Sequence, residues 1–177
     1  MEPEIPQSIT IQLTDDNNAE VDIPSHLVKF MPVLNDMIGD IGSGGFSKWP
    51  LPMATVDSLG RLVAFLEEFV KNSGPDPVDK ANDEDHSREM APWEAEFVKK
   101  NIDQGLGQYS IVVAGVLLAN YLGCAPYLDI CSIFVASRMQ GKTPEELRKE
   151  FSIKNDFTPE DEARIRREND WIHSDKK

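Results

Sequence analysis

Residues 141–172 read GKTPEELRKEFSIKNDFTPEDEARIRRENDWI, two helix starts in tandem with little apolar residue between them. Thr143 suits an N-cap, Pro144 the first helical position, and Glu146, three residues after the cap, completes a capping-box pattern. Thr158, Pro159 and Asp161 repeat the arrangement, with Asp as a shorter reciprocal partner. Helices begun so firmly are expected to be ordered. Yet the first offers mainly Leu147 and Phe151, and the second Ala163, Ile165, Trp171 and Ile172, among dense charge. Burying one large side chain contributes about 1.5–3 kcal/mol, while ordering each residue costs roughly 1–2 kcal/mol of backbone entropy. The pair is therefore marginal alone and is expected to share apolar surface, either with the chain's own core or with a second protein.

Upstream, Ile9, Ile11 and Leu13 alternate as in a strand, and DDNNA turns this run into a second one carrying Val21 and Ile23, so a hairpin is expected. Leu27, Phe30, Met31, Leu34 and Ile38 suit helices, with Pro32 ending one and starting the next. GSGG reads as a turn before the short extended stretch WPLP. From Val56 to Val70, Leu59, Leu62, Val63, Leu66, Phe69 and Val70 recur at helical spacing. The following segment, about residues 73–90, is rich in Pro, Gly and charge and reads as a mobile acidic linker. Pro92 then opens a helix with Trp93 and Phe97 on one face; Tyr109 to Tyr121 reads as the central core helix, and Pro126 starts another.

A chain of 177 residues with 40 % hydrophobic content supports one ordinary domain plus an appendage. The net charge of −13 disfavours nucleic acid and anionic membrane surfaces. The excess is uneven, because residues 141–177 hold nine of the 18 basic and ten of the 31 acidic side chains, so net charge does not recruit what the tail binds. No run approaches the roughly 18 apolar residues a spanning helix needs, and the first ten residues lack the pattern of a secretory signal. Cys124 and Cys131, seven residues apart on a helix, lie beyond disulfide reach and read as buried thiols. A cytoplasmic and nuclear protein is expected.

The segments GKTPEELRKEFSIKNDFTPEDEARIRRENDW, NYL, PWEAEF and VKKNIDQG closely resemble the S-phase-kinase-associated adaptor family of SCF-type ubiquitin ligases, and weaker similarity runs back through PLP to the opening hairpin. The resemblance implies an α/β fold: a BTB/POZ domain over residues 1–139 that docks on a cullin scaffold, and a helical extension over 140–177 that clasps the F-box of a substrate receptor. It implies a non-catalytic adaptor without cofactor, whose partners are F-box proteins and a cullin. Matched residue by residue, Asn120 and Tyr121 become the cullin-facing pair. Val135, Leu147, Phe151, Ile153, Phe157, Ile165, Asn169 and Trp171 become the F-box-binding set, with Trp171 as the main anchor.

The chain departs from the family pattern in three places. LGQYSIVVAGVLL, before ANYL, inserts roughly five residues, a rotation of about 140° on a helix. Gly123 and Pro126 are expected to loosen the turn after Tyr121, and Arg138 stands at a usually apolar position. An alternative reading is therefore a divergent module that binds F-box proteins, or weakly self-associates, without engaging a cullin.

Rival chemistry is thin. Gly141-Lys142-Thr143 resembles the end of a phosphate-binding loop, but Ala136 stands where its first glycine is required and Thr143 is better used as a cap. The three histidines are scattered without metal-ligand spacing, and Glu67 and Glu68 are adjacent and point apart.

Overall fold

The computed structural model describes residues 7–13, 18–41, 49–51, 54–74, 89–103 and 108–169. Trp171 and Ile172, the GSGG turn, most of the acidic linker, His86 and His173 lie outside the described residues. The chain divides into two compact units, residues 1–138 and 139–177.

The first unit begins with β1 (Ser8–Leu13) and β2 (Glu20–Pro24), paired antiparallel with Ile9 opposite Ile23 and Ile11 opposite Val21. Alternation sends Ile11, Leu13 and Ile23 into the core, while on the other face Thr10 donates to Asp22 across the pair at 2.7 Å. A short β3 (Trp49–Leu51) adds to the free edge of β1 in parallel, giving the order β2-β1-β3. A parallel neighbour needs a crossover. It is supplied by a 3₁₀ helix (Ser25–Phe30), which buries Leu27, Val28 and Phe30, and by α1 (Pro32–Ile41).

Helix α2 (Val56–Ser73) starts at a reciprocal box: Thr55 Oγ1 accepts from the Ser58 N–H at 3.1 Å and Ser58 Oγ from the Thr55 N–H at 2.9 Å. Its stripe of Leu59, Leu62, Phe65, Leu66 and Phe69 is buried. Phe65 is the hub of an aromatic cluster, with ring centroids 5.2 Å from Tyr127, 5.4 Å from Phe97, 5.6 Å from Trp93 and 5.9 Å from Phe69. Trp93 and Phe97 come from α3 (Pro92–Asn101), where the Glu94 carboxylate accepts from the Ala91 N–H at 2.8 Å. Ala91 offers no side-chain acceptor, so only half a box forms there.

Two further helices, α4 (Gln108–Leu122) and α5 (Ala125–Met139), complete this part of the chain. They meet closely at Gly115, where an added Cβ would lie 3.4 Å from both Cys131 Sγ and the Tyr127 hydroxyl. Gly123 does not loosen the turn between them, contrary to the sequence expectation. Its φ of +71° supplies the left-handed residue of a Schellman cap, with Cys124 N–H donating to Ala119 O at 2.8 Å and Gly123 N–H to Asn120 O at 3.3 Å. Cys124 consequently sits between the helices rather than within one, and both thiols are free and buried.

The second unit contains α6 (Pro144–Glu150) and α7 (Pro159–Glu168). Neither helix has a buried residue. Among the described residues the architecture is thus mostly helical with one small mixed sheet, an α/β arrangement.

Candidate functional site

Helix α4 carries no charged residue, in a chain that is 28 % charged. One side, with Val112, Leu118, Ala119 and Leu122, is buried; the other is open. Along the open side Val113, Leu117 and Tyr121, spaced four apart, are 53 %, 48 % and 42 % exposed. Asn120 lies on the same arc and is also exposed. The reading of Tyr109–Tyr121 as a core helix therefore holds for one face only, and the side chain of Tyr109 is outside the described residues. Val113 and Leu117 were missed as surface residues. Helix α4 carries no charge on any side, so its sequence offers no charged stripe to mark the open face.

In the second unit the capping box of α6 is complete: Glu146 accepts from the Thr143 N–H at 2.8 Å, and Thr143 Oγ1 from the Glu146 N–H at 3.3 Å. These contacts hold the Glu146 carboxyl below its usual range, the Thr143 backbone N–H being the main cause. Lys142 reaches the far end of the same helix, 2.8 Å from Glu150. Thr158 caps α7 by accepting from the Asp161 N–H at 3.2 Å; Asp161 is too short to close the box and instead accepts from the Thr158 hydroxyl at 2.7 Å.

Helix α6 ends in another Schellman cap, Ile153 N–H donating to Arg148 O at 2.8 Å and Ser152 N–H to Lys149 O at 3.4 Å. Its left-handed residue is Ser152, with φ of +54°. The connector to α7 then displays Ile153 and Phe157, which are 59 % and 48 % exposed. The Arg148 guanidinium lies over the Phe157 ring, 5.6 Å from its centroid. Leu147, Phe151 and Ile165 are half-buried, and Asn169 is exposed, its Nδ2 donating to Ile165 O at 2.9 Å. Val135 belongs to α5, half-buried against the core of the first unit. Arg138, the expected misfit, is accommodated 2.6 Å from Asp103 and stacked 5.3 Å from the centre of the Phe134 ring.

The rival chemistries find little geometry. Thr143 and Lys142, the end of the broken phosphate-loop motif, are engaged with Glu146 and Glu150. Glu68 binds Lys71 at 2.9 Å, and that hydrogen bond raises the lysine pKa. Burial pushes the Cys124 and Cys131 thiols up to about 11 and about 12, away from nucleophilic use. Among the described residues no group of three His, Cys, Asp or Glu could hold a metal ion, and no helix is long and apolar enough to cross a membrane.

Residues 126–172 match the family model described as Skp1 family, dimerisation domain. The SCF ubiquitin ligase complex protein SKP1a of Dictyostelium discoideum is 35 % identical over 91 % of this chain and 94 % of its own length. A Skp1-related protein of Caenorhabditis elegans is 31 % identical over 91 % and 90 %, and the S-phase kinase-associated protein 1 homolog of Tetrahymena thermophila 32 % over 93 % and 94 %. Similarity at this level along nearly the whole length places the chain in the Skp1 family.

Proposed function

We propose that the chain is a non-catalytic adaptor that links F-box substrate receptors to a cullin scaffold in an SCF-type E3 ubiquitin ligase, serving ubiquitin-dependent protein degradation in cytoplasm and nucleus. The observation that carries this reading is that each unit leaves apolar side chains uncovered among the described residues: the uncharged face of α4 with Tyr121, and the connector bearing Ile153 and Phe157. A bridging protein needs two such surfaces, and exposed apolar side chains gathered together are costly unless a partner covers them. The full-length similarity to relatives named as SCF subunits supports the same assignment.

In this reading residues 1–138 form a BTB/POZ-type domain whose sheet and helices support α4. Asn120 and Tyr121 meet the cullin, joined by Leu117 and Val113 on the same face. Val135, Leu147, Phe151, Ile153, Phe157, Ile165, Asn169 and Trp171 serve the F-box, Trp171 by the sequence match. Tyr and Trp supply large contact area at low entropic cost, which suits interface centres.

The test is backbone hydrogen exchange across residues 109–177 of the full chain, with an F-box domain and then a cullin N-terminal fragment. Protection of the second unit by the former and of the α4 face by the latter is expected. Protection by the F-box alone would favour a module that has lost its scaffold, and protection by neither would overturn the proposal.

A further inference from the structure

The α6–α7 connector of the second unit displays Ile153 and Phe157, and three local contacts tie it down. Ile153 is held by its N–H on Arg148 O at 2.8 Å. The Phe157 ring is covered on one side by Arg148. The third contact is Asn155. Its Oδ1 accepts from the Phe157 N–H at 3.2 Å, and its Nδ2 donates to Glu162 Oε1, on α7, at 2.9 Å. The amide orientation is forced, since an ionised carboxylate only accepts and a backbone N–H only donates. One exposed side chain thus fastens the backbone of Phe157 to α7 while the Arg148 guanidinium lies over its ring from α6.

We propose that Asn155 is a positioning residue for F-box recognition, holding Phe157 in its docking conformation before the partner arrives. This rests on the assignment of the connector to the F-box surface. A connector free to fluctuate would lose backbone freedom on docking, and that loss subtracts directly from affinity. Asn155 moves the ordering into the fold of the unbound protein, so its effect reaches the partner through Phe157.

Asn155→Ala in the full chain is expected to weaken binding of a purified F-box domain by roughly tenfold, the scale of one or two net hydrogen bonds. The Phe157 amide should exchange faster in the free protein, while the melting temperature of the first unit stays unchanged. Asn155→Asp keeps an acceptor for the Phe157 N–H but sets a second carboxylate against Glu162, so it should also weaken binding. Adding Glu162→Gln to it rebuilds the bridge with donor and acceptor exchanged, and should restore both affinity and amide protection. Unchanged affinity in Asn155→Ala, or no rescue in the exchanged pair, overturns the positioning role. Phe157→Ala separates this outcome from failure of the underlying assignment: if that variant also binds normally, the connector is not part of the F-box surface.

Discussion

Replacing Gly123 by alanine tests the cap that ends the proposed scaffold-binding helix. Gly123 has φ of +71°, where an L-residue with a Cβ costs roughly 1–2 kcal/mol. An added Cβ would meet Pro32 Cδ at 3.4 Å, ordinary contact, so no clash adds to that cost. The stiffer unfolded chain offsets about 0.4–1 kcal/mol. The expected net loss is therefore about 1 kcal/mol, equivalent to about 2–4 °C in melting temperature for a chain of this size. Urea unfolding followed by far-UV circular dichroism should show a lower midpoint with an unchanged slope. Asn tolerates the left-handed region, so Gly123→Asn should cost clearly less. Because Asn120 and Tyr121 occupy the last turn before this cap, Gly123→Ala should also loosen binding of a cullin fragment modestly. Alanine as stable as the parent would refute the cap reasoning. Asparagine as costly as alanine would locate the penalty in the contact with Pro32 rather than in the backbone angle.

Phe65→Ala should cost about 3–5 kcal/mol, toward the upper end because four rigid ring systems surround the site and cannot collapse into it; a loss under 2 kcal/mol by urea titration would contradict its place as hub. Cys124 and Cys131, with pKa values raised to about 11 and about 12 by burial, should resist alkylation at pH 8 in the native protein and both react in denaturant. Native-state labelling faster than global unfolding would reveal local opening between α4 and α5. The folded pKa of Glu146 is lowered, so its cap is complete above the ordinary value of 4.5 and is lost as pH falls through the folded value. NMR titration of that carboxyl should give a midpoint below 4.5, with α6 amides exchanging faster as it protonates. Glu146→Ala should abolish the acid dependence.

Much of the fold was legible because it is built from contacts between residues three or four apart. The boxes at Thr143 and the cap at Thr158, the stripe of α2, Pro32 between two helices and Pro92 at the start of α3 are written in local spacing. The Asn120–Tyr121 pair and the connector residues came from resemblance to a family, since nothing local distinguishes an exposed Phe157 from a buried one. Val113 and Leu117 were illegible for a related reason: a helix without charge on any side offers no charged stripe by which to orient it.

By itself the sequence determined the helix starts, the hairpin, the absence of net charge attraction in the tail and the family to which the chain belongs. Those follow from covalent neighbourhood, composition and motif. Tertiary structure decided the rest. The crossover brings β3 beside β1, a glycine at position 115 lets α4 sink one face against Cys131 and Tyr127, and that choice leaves Tyr121 open on the other. Likewise Asn155 finds Glu162 seven residues away only because the turn at Ser152 and the cap at Thr158 fix where α7 begins. Which face of an element meets solvent depends on what packs against it, and that is a property of the assembled chain rather than of any stretch of it.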